Sequence, residues 1–139
     1  MPADITTRDD ISDLVVAFYN NAFLDDLLGP VFTDVAKLDL DMHLPIMCDF
    51  WETVLFRAGK YQRNALQVHA ALHRKSALTP EHFGRWLDIW TATVDAMFAG
   101  EKADLAKLQA TRIAWSMSRR LMGESGSEFV TIRRASDRR

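Results

Sequence analysis

The sequence predicts an all-α domain, and three observations carry that reading. Apolar residues recur three and four positions apart through most of the 139 residues, the period of one helix face. Ahead of the C-terminal stretch, no run of any length alternates apolar and polar residues as a half-buried strand would. Starts and stops also fall where a helical chain needs them, at Thr7, at Thr79 with Pro80, and at Gly100 and Gly123. About five helices with short connections follow, a layout that suits a bundle or a globin-like packing around a central pocket.

The first helix opens at Thr7, with Asp10 three residues on to complete a capping box with a shorter acid. Its apolar stripe is Ile11, Leu14, Val15, Phe18 and Ala22, with Tyr19 at the edge, and Leu28-Gly29-Pro30 breaks it. Pro30 then begins a short turn or helix holding Val31, Phe32 and Val35. The next helix lies within about Leu40 to Arg57, where the spacing puts His43, Met47, Phe50, Trp51 and Val54 on one face. Pro45 sits early in it, where a missing N–H is tolerated or kinks the first turn, and Ala58-Gly59-Lys60 stops it.

A shorter helix, roughly Asn64 to Arg74, groups Ala65, Val68, His69 and Leu72. Thr79-Pro80-Glu81 is a strong helix start: a capping hydroxyl, proline at the first position, then an acid at the positive end of the dipole. That helix carries Phe83, Trp86, Leu87, Trp90, Val94 and Met97 inward, and Gly100 ends it. The last helix, about Glu101 to Met122, buries Ala103, Ala106, Ala110, Ile113, Ala114 and Met117, small residues among them allowing close approach to a neighbour. Gly123 closes it. The expected organisation is one domain over residues 1–122 and a polar, basic, flexible tail over 123–139, with Arg133, Arg134, Arg138 and Arg139 at its end.

Composition narrows the function. Apolar residues at 48% and charged residues at 26% describe an ordinary globular chain and argue against disorder. A net charge of −2 supplies no basic field for nucleic acid. The single cysteine, Cys48, allows no intramolecular disulfide and fits a reducing compartment. No apolar run approaches the roughly 20 residues of a membrane span, and Met1 to Asp10 is too polar for a secretion signal. The expectation is a cytoplasmic protein without membrane or nucleic-acid partners.

Most catalytic chemistries find no residues to use. His82, third in its helix, is expected to face solvent. His69 and His73 stand four apart, a zinc-compatible spacing, but Ala70, Ala71 and Leu72 between them supply no acid. No Glu-x-x-His pair occurs, which argues against a carboxylate-bridged di-iron bundle. Cys48 lies inside a helix with nothing to lower its pKa and reads as buried and inert. The six glycines are scattered and form no phosphate loop. A haem pocket uses the pattern better. His69, beside Val68 and Ala65, can offer a neutral imidazole to iron. Met47, Phe50, Trp51 and Val54 can roof the opposite face, with His43 at its edge, and Tyr19 and Trp86 add an O–H and an indole N–H. For each aromatic residue the plain alternative is core packing.

Taken in order, Ala17-Phe18-Tyr19, Leu28-Gly29-Pro30-Val31-Phe32, and His43-Leu44-Pro45-Ile46-Met47-Cys48-Asp49-Phe50-Trp51 form a distinctive series. It continues with Gly59-Lys60-Tyr61-Gln62-Arg63-Asn64, with His69 and Leu72-His73, and with Leu78-Thr79-Pro80-Glu81-His82-Phe83-Gly84-Arg85-Trp86-Leu87. This series resembles the group III truncated haemoglobins from about Ile11 to Met122. The resemblance implies a truncated globin fold, a two-over-two helical sandwich around haem b (iron protoporphyrin IX). It implies His69 as the proximal iron ligand, Tyr19 and Trp86 as distal polar groups, His43 at the distal gate and Met47 one turn into the pocket. Arg63 departs from the pattern, since relatives commonly carry glycine ahead of Asn64; His73 is the competitor for iron. The candidate haem pocket comprises Tyr19, Phe32, His43, Met47, Phe50, Trp51, Val68, His69, Phe83, Trp86 and Ile113.

The functional expectation is a protein that binds O2, NO, CO or peroxide at a His-ligated iron. Two donors above the iron would retain oxygen, which suits nitric oxide dioxygenation or peroxidase-like chemistry better than oxygen transport. Turnover would need an external reductase, since the chain carries no flavin or nicotinamide fingerprint. Two alternatives stand beside it: a gas or redox sensor signalling to a protein partner through the basic tail, and a haem-free helical interaction domain.

Overall fold

Thr7 starts the first helix, α1 (Arg8–Phe23), with both halves of the expected box: its hydroxyl accepts from the Asp10 N–H at 3.1 Å, and the Asp10 carboxylate accepts from the Thr7 N–H at 3.2 Å. Residues 2–35, 38–57 and 78–126 are described by this computed structural model, and every regular element among them is helical. The stripe Ile11, Leu14, Val15, Phe18 and Ala22 is buried as the spacing predicts, and Tyr19 is buried with it. The helix ends at Phe23, earlier than Leu28-Gly29-Pro30. Asp25 turns the chain by accepting the Leu27 and Leu28 N–H groups at 3.0 and 2.9 Å. Gly29 then passes so close to the helix end that a Cβ there would lie 2.6 Å from the Phe23 carbonyl oxygen. A π-helical turn, Val31–Val35, follows.

Asp39 caps α2 (Leu40–Phe56), accepting from the Asp41 N–H at 3.1 Å. Pro45 lies inside the helix, and its carbonyl accepts from Arg8 at 3.3 Å. The helix stops at Arg57, which adopts the left-handed conformation (φ 57°) usual for a glycine cap and bonds back to the Thr53 carbonyl at 3.1 Å. The stop expected at Ala58-Gly59-Lys60, and the helix expected over Asn64 to Arg74, lie outside the described residues.

The third helix, α3 (Pro80–Met97), starts where Thr79-Pro80-Glu81 predicts. His82 does more than face solvent: its Nδ1 accepts from the Thr79 N–H at 3.0 Å and closes a capping box in which histidine replaces the usual acid. The helix ends at Phe98, which is extended, two residues before Gly100. The fourth, α4 (Glu101–Gly126), runs past Gly123, so that glycine does not close it. A glycine inside a helix costs about 1 kcal/mol relative to alanine, a penalty that helical neighbours can absorb.

Helices α1 and α2 pack on each other, α3 and α4 do the same, and the first pair contacts the second through α1 on α3 and α2 on α4. This is a pair of helices over a pair. The small residues Ala103, Ala106, Ala110 and Ala114 of α4 are buried, and the approach is close enough for the Trp90 indole N–H of α3 to donate to the Ala106 carbonyl at 3.2 Å. Arg8 joins α1 to α2 by pairing with Asp49 at 2.8 Å and with Glu52, whose carboxylate is otherwise buried. Among the described residues, no helix is long and apolar enough to cross a membrane.

Candidate functional site

The last turn but one of α1 carries Tyr19 into the core, where it is 7% exposed. Its hydroxyl lies 2.7 Å from His43 Nε2 on α2, and the two rings meet edge to face at 5.4 Å. Phe18, Phe23 and Phe32 ring the phenol at 5.0, 6.0 and 5.5 Å. Burial pushes the Tyr19 pKa well above the ordinary phenol value, so the hydroxyl keeps its proton throughout the physiological range. The direction of the Tyr19–His43 bond is set by which imidazole nitrogen carries the proton.

The expected common face of α2 divides in two. Trp51 is buried with Cys48, Glu52 and Leu55, a stripe at i, i+3, i+4 and i+7 that packs into the core. His43, Met47, Phe50 and Val54 run beside that stripe and are half-buried. Phe32 and Trp86 are half-buried against the same core. The result is an apolar, largely aromatic wall whose outer faces are only partly covered, edged by one hydroxyl–imidazole pair. Such a wall suits a flat apolar ligand that needs one polar contact on its face.

Of the candidate residues, Tyr19, Phe32, His43, Met47, Phe50, Trp51, Trp86 and Ile113 therefore gather on or around the main core cluster. Phe83 sits apart, in a satellite cluster with Leu78, Leu121 and Val31. Ile113 also lines a shallow, open depression along α4, with Arg112, Ser116, Met117 and Arg120. Val68, His69 and the competing His73 lie outside the described residues, as does Arg63. Among the described residues, no group of three or more His, Cys, Asp or Glu side chains converges as a metal cage.

Cys48 is buried, as expected, and burial raises its pKa despite the nearby Arg8 cation and a bond from Ser12, so it remains a thiol at neutral pH. The sequence reading passed over Phe23, which packs on both Tyr19 and Phe32; its position four residues after Tyr19 was the available signal. It also passed over Arg8, whose partners on α2 are more than forty residues away in sequence and leave no local trace.

No family model matches the chain, and no curated protein matches it in sequence. Among solved structures it is similar to the crystal structure of a group III truncated hemoglobin from Campylobacter jejuni, with a TM-score of 0.75 over 87% of this chain and 95% of that one. Sequence identity between the two is 22%, so the likeness is one of fold: the chain has the two-over-two truncated globin fold.

Proposed function

We propose that this chain, folded as a truncated globin, binds haem and holds a diatomic ligand or peroxide in the pocket edged by Tyr19. The observation that carries the reading is the buried Tyr19 hydroxyl, 2.7 Å from His43 and set into a half-covered aromatic wall. The residues present fit the group. Phe32, Met47, Phe50, Val54 and Trp86 offer apolar surface for a porphyrin face, and covering several hundred Å² at ~25 cal/mol/Å² favours binding by roughly 10 kcal/mol before costs. His69 would supply the imidazole that holds the iron, and its other ring nitrogen would need an acceptor to fix the tautomer.

When bound, the haem supplies an iron centre for diatomic ligands and redox chemistry. The chain does the rest. With His43 protonated at Nε2 and donating to the phenol oxygen, Tyr19 would turn its own proton toward an atom that draws negative charge in the pocket, and Trp86 would offer an indole N–H from α3. Each charge-assisted bond contributes about 1.5–3 kcal/mol, so two such donors would slow oxygen release by roughly a hundredfold or more. Retention of that kind favours reaction of the bound ligand over oxygen delivery. His43, half-buried and bonded to Tyr19, would govern entry on this reading. Nitric oxide dioxygenation or a peroxidase-like activity with an external reductase follows from this reading.

The test is an absorbance spectrum of the purified chain, oxidised, reduced and reduced with carbon monoxide, for the parent and His69→Gly with and without added imidazole. A haem spectrum whose axial signature is lost in the variant and restored by imidazole is the expected result. A colourless protein after haem is offered overturns the proposal, and a spectrum unaffected by the substitution overturns the assignment of His69.

A further inference from the structure

Three of the four tryptophans form one array. Trp51 of α2 and Trp90 of α3 stack at 4.5 Å with their planes 15° apart. Trp86, one helical turn before Trp90, lies parallel to it within 4° at 6.3 Å. Phe18 sets its edge against both Trp86 and Trp90, at 6.1 and 5.4 Å, and fixes their orientation. Trp90 and Trp51 are 1% and 4% exposed, so water does not reach the stacked pair; the fourth tryptophan, Trp115, is 69% exposed on α4 and makes no ring contact among the described residues.

Indole is among the side chains most easily relieved of one electron, and parallel rings in contact let the resulting hole spread over both. The charge would be costly in a dry core if one ring held it alone. Here the pair shares it, and the Trp90 N–H donates to the Ala106 carbonyl at 3.2 Å, a bond that strengthens as the ring becomes positive. An amide carbonyl is too weak a base to remove that proton, so oxidised Trp90 stays a cation radical. Trp86, half-buried against the core, is the least buried ring of the three and would connect the pair to the pocket.

We propose that the Trp86–Trp90–Trp51 array donates an electron during peroxide reduction at the pocket. Hydrogen peroxide is the oxidant: its O–O bond breaks, and two electrons and two protons convert it to two waters. One electron comes from the haem and one from the array; solvent supplies the protons. Two molecules of a small phenolic or enediol reductant, each losing one electron and one proton, afterwards restore the haem and the array. The inference rests on the haem reading above, and the two fail differently.

The haem-loaded full chain is mixed with one equivalent of hydrogen peroxide and frozen within milliseconds for electron paramagnetic resonance, using protein with ordinary and with ring-deuterated tryptophan. The parent gives a radical whose hyperfine pattern changes on tryptophan deuteration. Trp90→Phe lowers its yield fivefold or more, Trp51→Phe lowers it less, and Trp115→Phe leaves it unchanged. Trp51→Phe keeps a ring in the stack and so covers the case in which Trp90→Phe, by losing its bond to Ala106, fails to fold. A radical indifferent to deuteration, an unchanged yield in both core variants, or a loss in Trp115→Phe overturns the proposal. A Soret band without an indole radical sinks the array alone; absence of the Soret band sinks the haem reading and the array together.

Discussion

Tyr19 shows how one side chain acquires a role that its sequence neighbourhood does not state. On the helical period it belongs to the edge of an apolar stripe, and core packing would explain it. What distinguishes it is the imidazole 2.7 Å from its oxygen, delivered by a helix that begins some twenty residues later. A buried phenol that keeps its proton is a durable donor. Replacing Tyr19 with phenylalanine is therefore expected to speed dioxygen dissociation from the haem-loaded chain by about tenfold or more, the loss of one charge-assisted bond, as read by stopped-flow ligand exchange. An unchanged rate would remove retention from the proposed function. The phenol itself should not titrate in that measurement below pH 10, because burial moves its pKa upward.

At the scale of elements, α4 depends on a residue almost a hundred positions away. The residue before it is Gly100, which has no side chain to cap with and sits at φ 141°. Asp4 fills the role instead: its two carboxylate oxygens accept from the Lys102 and Ala103 N–H groups at 2.9 and 2.8 Å. The fit is tight, since a Cβ on Gly100 would lie 2.6 Å from the Asp4 carboxyl carbon. Partial burial raises the Asp4 pKa, but the N–H groups of Lys102, Ala103 and Ile5 outweigh it, and the net value falls below the ordinary one. Asp4→Ala is expected to cost about 1 kcal/mol at neutral pH by chemical denaturation. With a depressed folded pKa, the contribution is complete above the ordinary carboxylate value and disappears as pH falls through the lower folded one. The gap between parent and variant should thus close below about pH 4, and a gap independent of pH would refute the capping role.

For the whole molecule, the half-covered wall of Phe32, Met47, Phe50, Val54 and Trp86 makes stability a function of what covers it. A ligand that binds the folded chain alone stabilises it by about 2.7 kcal/mol at a hundred times its Kd. For a domain of this length that shifts the melting temperature by roughly 10 °C. Removing haem from the loaded chain should lower Tm by about that amount, measured by circular dichroism at 222 nm. Equal melting of the two forms would mean that the wall is not where the group binds.

The helical character, the caps at Thr7 and Thr79, the inner stripe of α1 and the likeness to truncated haemoglobins could all be read from the residues alone. Each depends on interactions within three or four positions, or on an ordered series of short motifs, and those are local properties. Helix ends were less legible. Arg57 takes a cap conformation that glycine usually holds, and α4 passes through Gly123, each against a penalty of only about 1 kcal/mol. Only the tertiary structure could choose between the two faces of α2, sending Trp51 and Glu52 inward and leaving Met47 and Phe50 at the wall. That choice turns on Arg8 compensating a buried carboxylate and on Trp90 stacking against Trp51. Periodicity says that two residues share a face, but which face is buried is decided by partners from distant parts of the chain.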